Sequence, residues 1–277
     1  MNAIVSLPDL PVLDGNETPF AIEHDIDFER RFGGVARLYG DAALARFGNA
    51  RVCVVGVGGV GSWVVEALAR SAIGNITMID LDNVAESNIN RQLHALSSTL
   101  GKAKVSALAE RIAQINPYCR VTEIEDFVAE DNLEQFIGAG RFDFVIDAID
   151  NVRAKTALIV YCRAKGIRLV TIGGAGGQID PTRIEVRDLA RTEQEPLLAK
   201  VRKRLRAQHG FPRGDKSRFN IDAVFSTEPL RMPQGACATG DAVTGLNCAG
   251  FGSSMAVTAS FGLVAAAQVL RKLADEA

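Results

Sequence analysis

The chain has no Cys-x-x-Cys pair. Its five cysteines, Cys53, Cys119, Cys162, Cys237 and Cys248, are odd in number and widely spaced. That argues against a disulfide framework and against a paired-cysteine zinc site, and makes a reducing cytosol the natural setting. No Lys or Arg precedes Arg30, while Asp9, Asp14, Glu17, Glu23, Asp25, Asp27 and Glu29 are acidic. The positive start of a secretory signal is therefore missing. Residues 1–27, with Pro8, Pro11 and Pro19, read instead as an irregular arm. The net charge is only -2, so no global nucleic-acid signature exists and any basic surface must be local. No internal repeat is present. No charged residue falls between Ala242 and Leu270, a length sufficient to cross a bilayer. Its glycines Gly245, Gly250, Gly252 and Gly262, with polar Thr244, Asn247, Ser253, Ser254, Thr258, Ser260 and Gln268, fit a helix buried against a sheet better. Membrane association through 242–270 is the lesser alternative.

At 277 residues and 47% hydrophobic content the chain can bury one large α/β core or two small ones. Strand-like runs near 51–55, 76–80, 120–125, 142–147 and 168–172 alternate with helical patterns near 62–72, 102–115, 131–137 and 153–165. Val105, Leu108, Ala109, Ile112 and Ile115 make one apolar helix face, which Asn116-Pro117 ends. Such alternation predicts an α/β fold with a Rossmann-like, doubly wound, mostly parallel sheet. Beyond 172 the texture changes to turns and antiparallel strands, a C-terminal extension of that sheet.

The most informative stretch is 56–92. The run Arg51–Val55 leads into Gly56, Gly58, Gly59 and Gly61; a helical stretch follows, then a strand ending on Asp80. This is the nucleotide-binding fingerprint: a tight glycine turn, a helix start facing phosphate, and an acid about 20 residues on for the ribose. Asn88, Arg91 and Gln92 follow at i, i+3 and i+4, so one helix face can present all three. Lys104 lies near a helix start, where a cation opposes the helix dipole. Asp147 and Asp150 follow a strand and sit at the expected ligand crevice, where a carboxylate can hold Mg²⁺ between phosphates. Hydride transfer has little use for so much cationic and amide chemistry around phosphates; nucleotidyl transfer to a carboxylate needs it. His94 reads as an ordinary helix residue. Residues 187–218 carry ten bases and four acids, either a solvated helix face or a phosphate-backbone contact.

Gly56-x-Gly58-Gly59-x-Gly61, Asp80-x-Asp82, Ser87-Asn88-x-Asn90-Arg91-Gln92, Gly101-Lys102-x-Lys104 and Asp147-x-x-Asp150-Asn151 together resemble the ubiquitin-activating-enzyme superfamily. The segments 31–40, 90–96, 173–181, 224–228 and 250–252 resemble, within it, the subfamily of tRNA threonylcarbamoyladenosine dehydratases. The resemblance covers nearly everything from residue 28 onward. It implies one adenylation domain over 28–277 with a basic crossover insertion at 187–240. It implies ATP and Mg²⁺ as cofactors, and adenylation of the threonyl carboxylate of N6-threonylcarbamoyladenosine in tRNA, followed by ring closure with net loss of water. By the same resemblance Asp80, with Asp82 beside it, holds the ribose and Asn88 and Gln92 line the phosphates. Arg91 and Lys104 stabilise the α-phosphate, and Asp150 positions Mg²⁺. Arg31 matches an arginine that reaches the ATP of the other subunit, which implies a homodimer. A cysteine desulfurase or sulfur-acceptor protein is a further partner the family suggests. Ring closure is intramolecular and needs no enzyme thioester; Cys248 reads as packed among Leu246, Ala249 and Phe251, and the role of Cys237 stays open. The alternatives are an adenylyltransferase for the Gly-Gly end of a ubiquitin-like sulfur carrier, which the missing zinc cysteines disfavour, and an NAD-dependent oxidoreductase, which the Asn88/Arg91/Lys104 cluster disfavours.

Overall fold

The apolar runs become the centre of one sheet. β1 (Arg51–Val55), β4 (Phe144–Asp147) and β5 (Leu169–Ile172) are buried at almost every residue, as strands covered on both faces must be. The structure, a computed structural model, describes residues 27–214, 216–232 and 251–275. With β2 (Asn75–Ile79), β3 (Arg120–Ile124), β6 (Ile184–Asp188) and β7 (Asp222–Ser226), the strand order is β3-β2-β1-β4-β5-β7-β6. The two edge strands, β3 and β6, are the ones with no fully buried residue. Every neighbouring pair is parallel except β6 with β7. The antiparallel extension expected beyond 172 is therefore a single strand, because β7 returns parallel to β5.

Helices cover both faces. α2 (Asp41–Asn49), α3 (Gly61–Arg70), α4 (Lys104–Ile115) and α7 (Met255–Ala274) bury apolar residues with one side of the sheet. α5 (Val152–Lys165) and α6 (Pro196–Gln208) do so on the other. α1 (Phe28–Tyr39) is capped by Asp27, whose carboxylate accepts the Arg30 N–H; residues 1–26 of the expected arm lie outside the described residues. α7 is long and apolar enough to cross a membrane by length and composition. Yet Val257, Phe261, Ala265, Val269 and Leu273 are in the core, as the buried reading requires. Residues 242–250 of that apolar run lie outside the described ones. The helix expected over 131–137 is only a π-type turn, Glu134–Gly138.

β1 is flanked by β2 on one side and β4 on the other. The strand order reverses there, and a crevice opens at the carboxyl ends of the two strands. Gly56 turns the chain out of β1 with φ +84°. Gly61 lets α3 start close beneath: a Cβ there would lie 1.9 Å from the Gly56 carbonyl oxygen.

Candidate active site

A cavity of about 440 Å³ fills this crevice, and it gathers most of the sequence-predicted site. Gly56, Gly58 and Gly59 form one wall with Asp80, Asp82, Arg91, Gln92 and Lys104; Asp150 stands on the opposite rim. The Gly173–Gly176 loop and Leu197 close another side. Gly61 lies below, in the first turn of α3.

Asp80 braces the glycine turn. Its carboxylate accepts the Val57 N–H at 2.7 Å and the Asp82 N–H at 3.0 Å. Lys104, the first residue of α4, is buried. Its ammonium donates to Asp82 at 2.6 Å and lies 3.9 Å from Asp80. The anion that a cation at a helix start demands is thus supplied within the chain. Arg91 donates to the Ser87 carbonyl at 2.7 Å and to Asn90 Oδ1 at 3.0 Å. Its stem lies against Gly59, where a Cβ would be 3.2 Å from Arg91 Cγ.

The expected helix carrying Asn88, Arg91 and Gln92 is not one. Glu86–Asn88 is a single 3-10 turn followed by further turns. Asn88 does not line the cavity; its Oδ1 accepts the Ala85 N–H at 3.0 Å and closes the turn on itself. Its carbonyl takes the N–H groups of Arg91 and Gln92 and so sets where those two point. Gln92 is buried in the cavity wall and its Oε1 has no partner. A buried acceptor left unpaired costs about 1–3 kcal/mol, which a donor on a bound ligand recovers.

The pattern of this cavity has close parallels. Residues 32–277 match the family model described as ThiF family. The chain belongs to the ThiF family. The tRNA threonylcarbamoyladenosine dehydratase of Escherichia coli (strain K12) is 53% identical over 257 residues, covering 90% of this chain and 96% of that one. The protein of the same name from Haemophilus influenzae is 52% identical, covering 89% and 94%. A crystal structure of the E. coli tRNA N6-threonylcarbamoyladenosine dehydratase in complex with ATP superposes with a TM-score of 0.80 at 53% identity, covering 88% of this chain and 94% of that one.

In this ThiF-family chain Arg31 stands apart from the nucleotide cavity. It lines a separate cleft of about 580 Å³ and donates to the last carbonyls of α4, Gln114 at 3.2 Å and Ile115 at 2.9 Å. His94 lines the same cleft from a turn, not from the helix expected for it. Neither of its ring nitrogens has a partner. Burial, with Lys104 nearby, lowers its pKa to about 4, so it is neutral.

Asp147 is not available to a metal. It is fully buried at the end of β4, 2.9 Å from the equally buried Lys155 and bonded by the Thr171 hydroxyl at 2.7 Å. Lys155 also donates to the Asp147 carbonyl at 3.1 Å. Sequence reasoning missed Lys155, although the signal exists. Lys155, Leu158, Ile159 and Cys162 share one buried helix face, and a lysine in an apolar stripe calls for an internal partner. Asp150 is exposed and precedes Asn151, which caps α5 by accepting the Arg153 and Ala154 N–H groups. No cluster of three acid, His or Cys ligands occurs among the described residues. A single rim carboxylate completed by phosphate oxygens is the usual mode for Mg²⁺.

Glu195 was also missed, counted only as an acid in the basic island. It is buried, accepts the N–H groups of Gly174 (3.0 Å), Leu197 (3.1 Å) and Leu198, and so ties the start of α6 to the loop lining the cavity. Burial pushes its carboxyl above the ordinary range despite those donors. The island itself is partly structural. Arg187 pairs with Glu185 and Glu193, Arg202 with the Thr192 hydroxyl, and Arg206 lies over the Phe219 ring at 5.3 Å. Cys237 and Cys248 lie outside the described residues.

Proposed function

We propose that this chain is an ATP-dependent dehydratase of N6-threonylcarbamoyladenosine in tRNA, acting through an acyl-adenylate. The observation that carries the reading is the union in one cavity of a ribose-side acid, Asp80, with two cations, Arg91 and Lys104, and a rim carboxylate, Asp150. The likeness to the E. coli and H. influenzae dehydratases along nearly the whole chain supports tRNA, in place of a carrier protein, as the owner of the carboxylate.

The chemistry follows from charge. A carboxylate is a poor electrophile until one oxygen becomes part of a good leaving group. The threonyl carboxylate attacks the α-phosphorus and pyrophosphate departs. An internal nucleophile of the modified base then attacks the acyl carbon, AMP leaves, and a ring closes with a proton released. Arg91 and Lys104 stabilise the negative charge that develops at the α-phosphate. Fixing the carboxylate in line supplies much of the remaining rate. Asp80 holds the ribose, Gln92 offers its unpaired oxygen, and Asn88 acts only by shaping the turn that presents Arg91 and Gln92. Asp150 would hold Mg²⁺, which would lower the charge barrier to attack on the phosphate. Arg31, remote from its own chain's cavity, serves the site of a second copy in a symmetric dimer. A reaction that uses ATP and tRNA supports a cytoplasmic setting.

ATP–pyrophosphate exchange tests this. It is expected with tRNA carrying N6-threonylcarbamoyladenosine, and not with a Gly-Gly carrier protein. Exchange driven only by the carrier protein overturns the substrate assignment; tighter binding of NAD than of ATP overturns the nucleotide assignment.

A further inference from the structure

Two helices lead away from the nucleotide cavity, and the adenylation chemistry does not use the space between them. α5 begins two residues after Asp150. α6 begins beside the cavity, where Leu197 lines it and Glu195 bonds Gly174. The helices pack together on one face of the sheet, and both start at its carboxyl end. A cavity of about 430 Å³ opens along them. Arg153 of α5 and Arg204 of α6 line it, with Gln208 and His209 further along, and Glu130 on the outer side. Neither arginine has an ion-pair partner among the described residues. Lys200 and Lys203 extend the cationic wall on exposed positions of α6. The neighbouring Glu134 is already taken by Lys165 at 2.9 Å and the Tyr161 hydroxyl at 2.7 Å.

The opposite face of the sheet differs. Three of its bases are neutralised locally: Lys102 by Glu110 at 2.6 Å, and Arg70 and Arg111, which line the Arg31 cleft, by Glu66, each at 2.7 Å. A polyanion that enters the cavity at one point must leave it along some surface, and it is held where cations lack partners. Guanidinium forks match phosphate oxygens, which makes unpaired arginines the natural contacts. The 13 residues of α6 reach about 20 Å at 1.5 Å per residue, a span suited to a short helical arm rather than to a lone nucleotide.

We propose that the groove between α5 and α6, with Arg153 and Arg204 on its two walls, seats the phosphodiester backbone of the anticodon arm while the modified base occupies the nucleotide cavity. This rests on the tRNA reading above. Loss of a backbone contact weakens binding across sequences and reduces the salt slope by about one. The test is binding of substrate tRNA to Arg153→Glu/Arg204→Glu at several salt concentrations, with ATP affinity measured by calorimetry. At least about tenfold weaker tRNA binding is expected at physiological salt, with a salt slope lower by about two and unchanged ATP affinity. Arg51→Glu/Arg120→Glu, which reverses exposed charges at the amino ends of β1 and β3, is expected to stay within about twofold of wild type, since it touches no proposed phosphate contact. Should the reversed pair fail to fold, Arg153→Gln/Arg204→Gln gives the same readout with a smaller loss. Wild-type binding by the groove variants, or an equal loss in the control pair, overturns the groove. If the wild-type enzyme dehydrates the tRNA while the groove variants bind normally, only this inference falls. If the wild type leaves the modified base unchanged, the substrate reading falls and the groove with it.

Discussion

Replacing Lys155 by methionine tests the buried pair beneath the nucleotide cavity. Lys155 and Asp147 are both fully buried, 2.9 Å apart, with Thr171 bonded to the carboxylate. Methionine keeps most of the volume and removes the charge, leaving Asp147 as an uncompensated buried anion. Breaking one side of such a pair costs about 3–5 kcal/mol, and for a chain of this size that lowers the unfolding midpoint by roughly 10 °C. Urea unfolding at fixed protein concentration, with thermal melts beside it, gives the number. Asp147→Asn in the same chain removes the stranded charge, and the double variant should recover about 2 kcal/mol relative to the sum of the singles. A cost below about 1 kcal/mol for Lys155→Met, or a double variant no better than additive, would refute the claim that the two charges exist for one another.

Asp80→Ala should weaken ATP binding by about 1–3 kcal/mol, read by calorimetry, because it also releases the Val57 N–H that shapes the glycine turn; unchanged affinity would remove Asp80 from the nucleotide site. Mixing Arg31→Ala with Asp150→Ala chains should restore activity that neither homodimer has, since a hybrid dimer contains one intact site; no recovery at any mixing ratio rules out a shared site. His94 titrates at about 4 in the fold against an ordinary 6.5, so the unfolded chain binds more protons between those values. The stability present above pH 6.5 is therefore lost as the pH falls toward 4, and His94→Leu should flatten that part of the stability curve. Identical acid slopes for the two proteins would show that His94 is not the group responsible.

The fold was legible because its central strands are apolar throughout and its helices carry one buried stripe each; β1, β2, β3 and β5 fall within a residue of their expected bounds. What escaped was decided by particular side-chain contacts, some local and some distant in sequence. Asn88, Arg91 and Gln92 have helical spacing, but the side chain of Asn88 closes a 3-10 turn and ends the periodicity. Asp147 and Asp150 look alike at the end of a strand, yet Thr171 and Lys155 claim the first while the second stays on the rim. Glu195 is one acid among many bases until the Gly173–Gly176 loop folds against it. A Cβ on Gly173 would come within 2.9 Å of its stem. The places of the glycine turn and Lys104 in the cavity were readable because both sit where consecutive strands and helices, β1–α3 and β2–α4, join at the carboxyl ends of the strands.

The pairing of Lys104 with Asp82 has a consequence for discrimination. A bare ammonium at the mouth of a phosphate site would attract every small anion in the cell, and inorganic phosphate would compete with the substrate. Here the ammonium is already matched by a carboxylate 2.6 Å away, so this cation by itself offers little to an anion that brings nothing else. On the proposed function a nucleotide would differ, because its sugar would engage Asp80 and its other groups would reach Gln92, which line the same cavity as the cation. On that reading the charge would be kept for the moment at which it accelerates the reaction rather than for ground-state capture. On the proposed function, how weakly free phosphate or sulfate competes would be set in part by Asp82, a residue that need never touch the reacting atoms.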